Sequence, residues 1–361
     1  MDSLPATVAS ALVEADSGHS DDTHWPARWQ ALTAVSVELQ SLLVTDPGPE
    51  LVGLIEQIVT QLADGVAGSR RHRVELADLA HRVLTTHARA CAETDPDPIR
   101  LADWLLDLQL QHPDAPDVSL SAYADVLDEE GLQHYRERAV TLFEPLPVIG
   151  FGETGRYDRA RWALLRVMEE LAEYTEDVDL QLLVLSKDLS SGWHYLQVAT
   201  VLRDNARSDE ALEWVERGLR AVGGRGAALR LLDLAVEEHL RRGTPHRAVA
   251  VCRDAFYARP NLDLYLKIRA LVVHTDDWPP LRAELVNHLV QDGSRLAVEV
   301  YRRIVEVELA RRGIEEQDLV VEWLEQLRGL QPDAFADYLE HIKSRHVADR
   351  QLLDELSKRG L

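Results

Sequence analysis

Residues 150–155, Gly150-Phe151-Gly152-Glu153-Thr154-Gly155, carry the G-x-G-x-x-G spacing of a dinucleotide-binding loop. That chemistry requires a strand feeding the loop and a helix leaving it, so that backbone N–H groups meet a pyrophosphate. Here the preceding run, Glu144-Pro145-Leu146-Pro147-Val148-Ile149, is short and broken by proline, and Glu153 sets a negative charge where phosphates would lie. The motif reads as a loop between helices. Metal binding from a helix needs two histidines one turn apart with a carboxylate nearby, as in H-E-x-x-H. Among the 14 histidines no such pair occurs. His81 and His87 fall on different faces of one helix, so they and His72 read as exposed helix histidines, and His341 and His346 add no stronger pattern.

His112-Pro113-Asp114 has the lettering of the J-domain tripeptide, but Asp103 and Asp107 stand where a basic helix would be needed, so it reads as a helix stop. General acid–base catalysis needs a carboxyl whose pKa is lifted by burial. Asp128-Glu129-Glu130 and Glu315-Glu316 sit among polar neighbours at helix starts, where they complement the macrodipole instead. Cys91 and Cys252 are too few and too far apart for a disulfide framework or a cysteine zinc site. The expectation is no catalytic residue, no metal and no cofactor.

These residues must be positioned by helices. The chain has 361 residues, beyond the size at which one globular core stops growing, and no composition break divides it, which favours a stack of repeats. Val, Leu and Ala dominate, while Phe occurs four times and Met twice. The formal charge of −23 disfavours free nucleic acid and anionic membrane and suits a soluble chain, and two lone cysteines suit a reducing cytosol, so a cytoplasmic location is expected. No apolar run reaches bilayer length and no signal-peptide pattern opens the sequence.

Apolar residues recur at helical steps from Leu32 to Leu43, and Asp46-Pro47-Gly48-Pro49 stops that helix. The alternation continues: helices over 51–67, 74–92, 99–111, 121–127, 132–143, 156–174 and 178–189, each with its own breaker. A first helix over 4–15 followed by the polar stretch 16–24 reads as a separate N-terminal piece and linker, 1–28. Residues 29–190 form an N-terminal helical region, and 191–361 hold repeats and C-terminal helices. From Trp193 onward helices come in pairs at about the 34-residue spacing of tetratricopeptide stacking. Ala211, Gly218, Ala248 and Ala255 lie where paired helices must approach closely. Trp104, Trp162, Trp193, Trp214, Trp278 and Trp323 are expected in the core between repeats, Trp193 being the one that could border a groove.

The ordered stretches Tyr123 to Leu132, Asp188 to Ser191, Glu210 to Arg220, Glu238 to Gly243, Arg259 to Leu262 and Arg345 to Leu361 resemble the helical region that follows the zinc module in bacterial SWIM zinc-finger proteins. The resemblance covers roughly residues 50 to 361. It implies a helical scaffold for protein interaction. The family's zinc module itself needs a Cys-x-Cys pair and a Cys-x-His, which this chain lacks.

The sequence thus predicts an all-α chain, a TPR-like α-solenoid of antiparallel helix pairs, serving as a non-catalytic adaptor for a protein partner. Its concave face would include Thr200, Arg203, Asp204, Asp233, Glu237 and Arg241. The rival expectation is an accessory factor of a nucleic-acid complex, acting beside a separate zinc-bearing protein, with Arg70-Arg71-His72-Arg73 and Lys343, Arg345 and Arg350 as its only basic patches. Direct nucleic-acid binding and membrane association are not expected.

Overall fold

The computed structural model describes residues 3–13, 24–69, 71–155, 158–311 and 317–361. The stretch expected as a linker lies almost wholly outside the described residues, as do Arg70 and Glu315-Glu316. The described residues form 18 α-helices and one 3-10 turn, and the single departure from helical pairing is an isolated bridge between Ile149 and Asp188. The chain divides into two compact units, residues 1–190 and 191–361.

In the first unit α1 (Ser3–Val13), α2 (Trp25–Thr45), α3 (Pro49–Gly68), α4 (Arg73–Thr94) and α5 (Pro98–Gln111) are followed by the 3-10 turn Leu120–Ala122. Then come α6 (Ala124–Phe143), α7 (Arg159–Thr175) and α8 (Val178–Leu185). The breakers act as expected: Pro49 and Pro98 occupy the first helical positions, where a missing N–H costs nothing. The Asp97 carboxylate accepts the Arg100 N–H at 2.7 Å, and Asp158 and Asp177 cap α7 and α8 in the same manner. α1 packs on α2 and α3 and places Leu4, Val8 and Ala11 in the unit's core, so the first helix belongs to this unit. The breaker expected between 121–127 and 132–143 is a kink within α6 at Asp128, whose side chain recaps the chain by accepting the Glu130 and Gly131 N–H groups. α8 ends earlier than the expected Leu189, because Lys187 and Leu189 turn their backbone groups to Ile149.

The second unit comprises α9 (Gly192–Asp204), α10 (Ser208–Val222), α11 (Ala228–Arg241), α12 (Pro245–Ala258), α13 (Leu262–Val272), α14 (Trp278–Asp292), α15 (Arg295–Arg311), α16 (Gln317–Leu330), α17 (Pro332–Arg345) and α18 (Arg350–Lys358). Gly192 at the start of α9 lies against Val222 at the end of α10, and Gly218 late in α10 lies against Tyr195 and Leu231, both early in their helices. Ser208 at the start of α10 receives Arg241 from the end of α11. Consecutive helices α9, α10 and α11 therefore alternate in direction. Helices also meet the element two further along, α9 with α11, α12 with α14, α13 with α15 and α16 with α18, and α11 to α18 contribute to one apolar core. Lys267 of α13 pairs with Asp233 of α11, and Arg359, just after α18, pairs with Glu325 of α16.

Three of the four small residues sit where the sequence placed the approach, whereas Ala255 is only partly buried and faces a groove. Ala211 and Ala248 are buried, and a Cβ on Gly218 would come within 2.8 Å of the Tyr195 Cβ and 2.9 Å of the Leu231 Cδ1. The tryptophans divide. Trp278 and Trp323 are buried as expected, Trp104 and Trp214 partly, whereas Trp162 is 40% and Trp193 57% exposed. Trp162 is instead covered by the Arg166 guanidinium at 4.5 Å, a cation–π contact that substitutes for core burial.

Candidate functional site

All six residues of the expected binding stripe lie on α9 and α11, but their charges are engaged within the unit. Arg203 reaches Asp204 at 2.9 Å and Glu237 at 3.8 Å, linking α9 to α11, and Asp233 pairs with Lys267 of α13. Arg241 donates to both oxygens of Glu238, at 2.9 and 2.7 Å, and to Ser208 at 2.7 Å, while Arg242 donates to Glu238 at 2.7 Å and to Asp209 at 2.6 Å. Glu238 is 1% exposed. The Arg241 hydrogen bonds overcome the effect of burial and, with Arg242 and Ser208, hold its carboxyl down at about 2. This cluster closes the hairpin between α10 and α11. Thr200 is half-buried and Asp204 exposed.

A different feature of the same helices is open. Between the C-terminal halves of α10 and α12 lies a groove of about 870 Å³, floored by the first turns of α11 and bounded by residues 223–226 and 259–261. Leu219, Leu229, Leu232, Val251, Ala255 and Leu264 line it, and Leu229 is 45% exposed although it sits on the floor. The loop at its end, Gly223-Gly224-Arg225-Gly226, has positive φ at all three glycines, a conformation that side-chain-bearing residues adopt only at a cost. Concave apolar surface of this volume with a few polar groups at the rim is the usual form of a binding site.

The rim is basic. Glu216 has Arg220 at 3.7 Å and Asp254 has Arg253 at 3.7 Å, so both acids carry a cation of their own. Arg225 and Arg259 donate to backbone carbonyls, of Val222 at 3.4 Å and of Gly224 at 3.3 Å, and neither has a carboxylate partner among the described residues. Sequence reading missed this site. The run Gly223-Gly224-Arg225-Gly226 signals a turn, but nothing in it shows which helices the turn leaves uncovered.

The first unit contains a buried polar cluster that corrects the reading of His87 as exposed. His87 of α4 is fully buried, because it falls on the apolar stripe Leu76, Ala80, Val83 and Cys91 of its helix. Its Nε2 lies 3.5 Å from Glu56 of α3 and its Nδ1 3.0 Å from the Tyr123 hydroxyl, with the Trp104 ring 4.5 Å away. Arg100 closes the cluster with two hydrogen bonds to Glu56, at 3.0 and 2.9 Å. Burial lowers the His87 pKa despite the opposing pull of Glu56. Burial alone would raise that of Glu56, but the hydrogen bonds and charges of His87 and Arg100 outweigh it and leave the carboxyl below its ordinary value.

Cys91 lies 3.6 Å from the His87 Nε2, an arrangement that in a cleft would make a nucleophile. Here burial, reinforced by the Glu56 charge, pushes the thiol up to about 12, and its side chain has no exposure. The cluster therefore ties α3, α4 and α5 to the segment before α6. A second such tie joins α13, α14 and α15 around buried Glu308, which accepts from the Tyr265 hydroxyl at 3.1 Å with Arg269 at 3.3 Å and Arg282 of α14 at 4.0 Å.

The glycine motif forms a loop stabilised from within. Glu153 accepts the Gly150 N–H at 2.8 Å, occupying backbone that a phosphate would need, and Gly152 donates to the Ser190 carbonyl. In the first basic patch Arg73 pairs with Asp114 and His72 stacks on Trp25 at 3.7 Å, and in the second Arg345 reaches Glu306 at 3.8 Å. Among the described residues no group of three His, Cys, Asp or Glu side chains is placed to hold a metal, and no helix is long and apolar enough to cross a membrane.

With this geometry in hand, comparison with known proteins adds no identification: no protein-family model and no curated protein matches the chain.

Proposed function

We propose that the chain is a non-catalytic helical-repeat adaptor whose second unit, a tetratricopeptide-like stack, holds a segment of another protein. The observation that carries this reading is the open apolar groove on α10, α11 and α12, about 870 Å³ in volume with exposed Leu229 at its floor. A stack of hairpins leaves such surfaces between successive helices, and amphipathic helices dock on them through their apolar faces. The proposal includes a kinship with the helical region of bacterial SWIM zinc-finger proteins, a scaffold for protein interaction. It moves the binding surface away from the stripe of Thr200, Arg203, Asp204, Asp233, Glu237 and Arg241. In that stripe the charges serve as ties between α9, α11 and α13.

The test begins with purification from the native cell and identification of the co-purifying protein, followed by titration of the two purified chains. Leu229→Glu weakens the complex at least about tenfold by placing a charge on the groove floor, whereas Arg203→Glu leaves it within about twofold. Loss with Arg203→Glu and none with Leu229→Glu would return the binding surface to the stripe.

A further inference from the structure

The charges around the groove say what kind of segment fits it, and this step rests on the adaptor reading. The chain as a whole carries −23, so a basic partner would be the expectation from net charge alone. At physiological ionic strength, however, a charge is felt over only about 8 Å, and the groove's own rim decides. That rim holds Glu216 and Asp254, each beside an arginine of its own, and two guanidiniums, Arg225 and Arg259, that donate to the backbone carbonyls of Val222 and Gly224 and have no carboxylate partner among the described residues. Both flank the same turn, since Arg259 donates to the Gly224 carbonyl and its side chain lies against Gly224. Two arginines held beside an apolar floor, with donors left over, match carboxylates that arrive with an apolar segment.

We propose that the groove takes an acidic amphipathic protein segment, its apolar side chains on Leu219 and Leu229 and its carboxylates on Arg225 and Arg259. A basic segment of the same apolar pattern would set like charges against both arginines. It would gain only Glu216 and Asp254, each already paired.

The experiment uses the full chain and two synthetic amphipathic helices with identical leucine faces, one with glutamate and one with lysine on the other face, titrated by fluorescence anisotropy. The glutamate peptide binds about tenfold tighter than its lysine twin, the size expected of two partly exposed ion pairs together with removal of repulsion. The preference disappears in Arg225→Gln/Arg259→Gln and inverts in Arg225→Glu/Arg259→Glu, and Leu229→Glu weakens both peptides. Circular dichroism checks that the variants fold, and the peptide comparison on the unaltered protein stands even if one does not. Equal or better binding of the lysine peptide, with both peptides weakened by Leu229→Glu, overturns the acidic occupant but leaves the groove as the docking surface. Binding of neither peptide, or binding indifferent to Leu229→Glu, overturns the adaptor reading of the groove as well. One-to-one binding of dodecanoate that excludes both peptides would make it a site for a small amphiphile and would likewise overturn the proposal.

Discussion

Replacing Gly218 by alanine sets two effects of opposite sign against each other in one helix. Alanine is favoured over glycine in a helix interior by about 1 kcal/mol, so on propensity alone the variant is more stable. The added Cβ, however, would stand 2.8 Å from the Tyr195 Cβ and 2.9 Å from the Leu231 Cδ1. The leucine methyl can rotate away. The Tyr195 Cβ is one bond from its backbone, so relief there means moving α9 away from α10. Overpacking of this kind costs about 1–3 kcal/mol, which outweighs the propensity gain and leaves a net loss of about 1 kcal/mol. Gly53 in α3 supplies the control, since a Cβ there meets nothing within 4 Å and Gly53→Ala gains the propensity term of up to about 1 kcal/mol. Urea unfolding followed by circular dichroism measures both. Gly53 lies in the first unit and Gly218 in the second, so each shift is read on the transition of its own unit and only the signs are compared. A Gly218→Ala variant as stabilised as Gly53→Ala would refute the close approach of α9 and α10.

The His87 cluster makes the first unit acid-sensitive. His87 has a folded pKa below its ordinary 6.5, so its contribution is full above pH 6.5 and declines as pH falls below that value; Glu56, depressed below 4.5, adds a loss at still lower pH. His87→Gln flattens the first decline, as melting temperature across pH 7 to 5 would show; an unchanged slope would mean that His87 is solvated. Glu238→Ala destabilises the second unit by about 1–3 kcal/mol at pH 7, through loss of charge-assisted hydrogen bonds. Because the Glu238 carboxyl is held at about 2 against 4.5, that contribution is complete above pH 4.5 and is lost as pH falls toward 2, so the variant and the parent converge in stability there. Cys91 and Cys252, both buried with thiols pushed up to about 12, should resist a thiol-specific disulfide reagent at pH 7 until the protein is unfolded.

The helices were legible because each carries local punctuation. Asp97-Pro98 and Asp46-Pro47-Gly48-Pro49 act through caps and fixed φ, which need no knowledge of tertiary neighbours. The close approach at Gly218 was also visible, as a small residue repeating on one face. His87 was misread because it was compared only with His81. The stripe Leu76, Ala80, Val83 and Cys91 already placed it inward, but its partners Glu56 and Tyr123 come from distant segments that only the packing brings together. The stripe residues lie on two helices whose existence was legible, α9 and α11, while their pairing with Lys267, Glu238 and Ser208 depends on how neighbouring helices register. The groove was invisible for the converse reason: it is defined by what α10 and α12 leave uncovered over Leu229, and no residue pattern encodes an absence of neighbours.

The most direct measurement of the central claim places a photo-crosslinking benzophenone side chain at position 229, on the groove floor, and for comparison at position 37, where exposed Val37 lies on α2 of the other unit. On irradiation in the native cell the account predicts one protein joined at position 229 and not at position 37. It also predicts that the same adduct forms when a lysate of those cells is irradiated instead, and disappears there when the Leu/Glu peptide is added in excess beforehand. The same adducts at both positions, or an adduct at 229 with nucleic acid in place of protein, would contradict it.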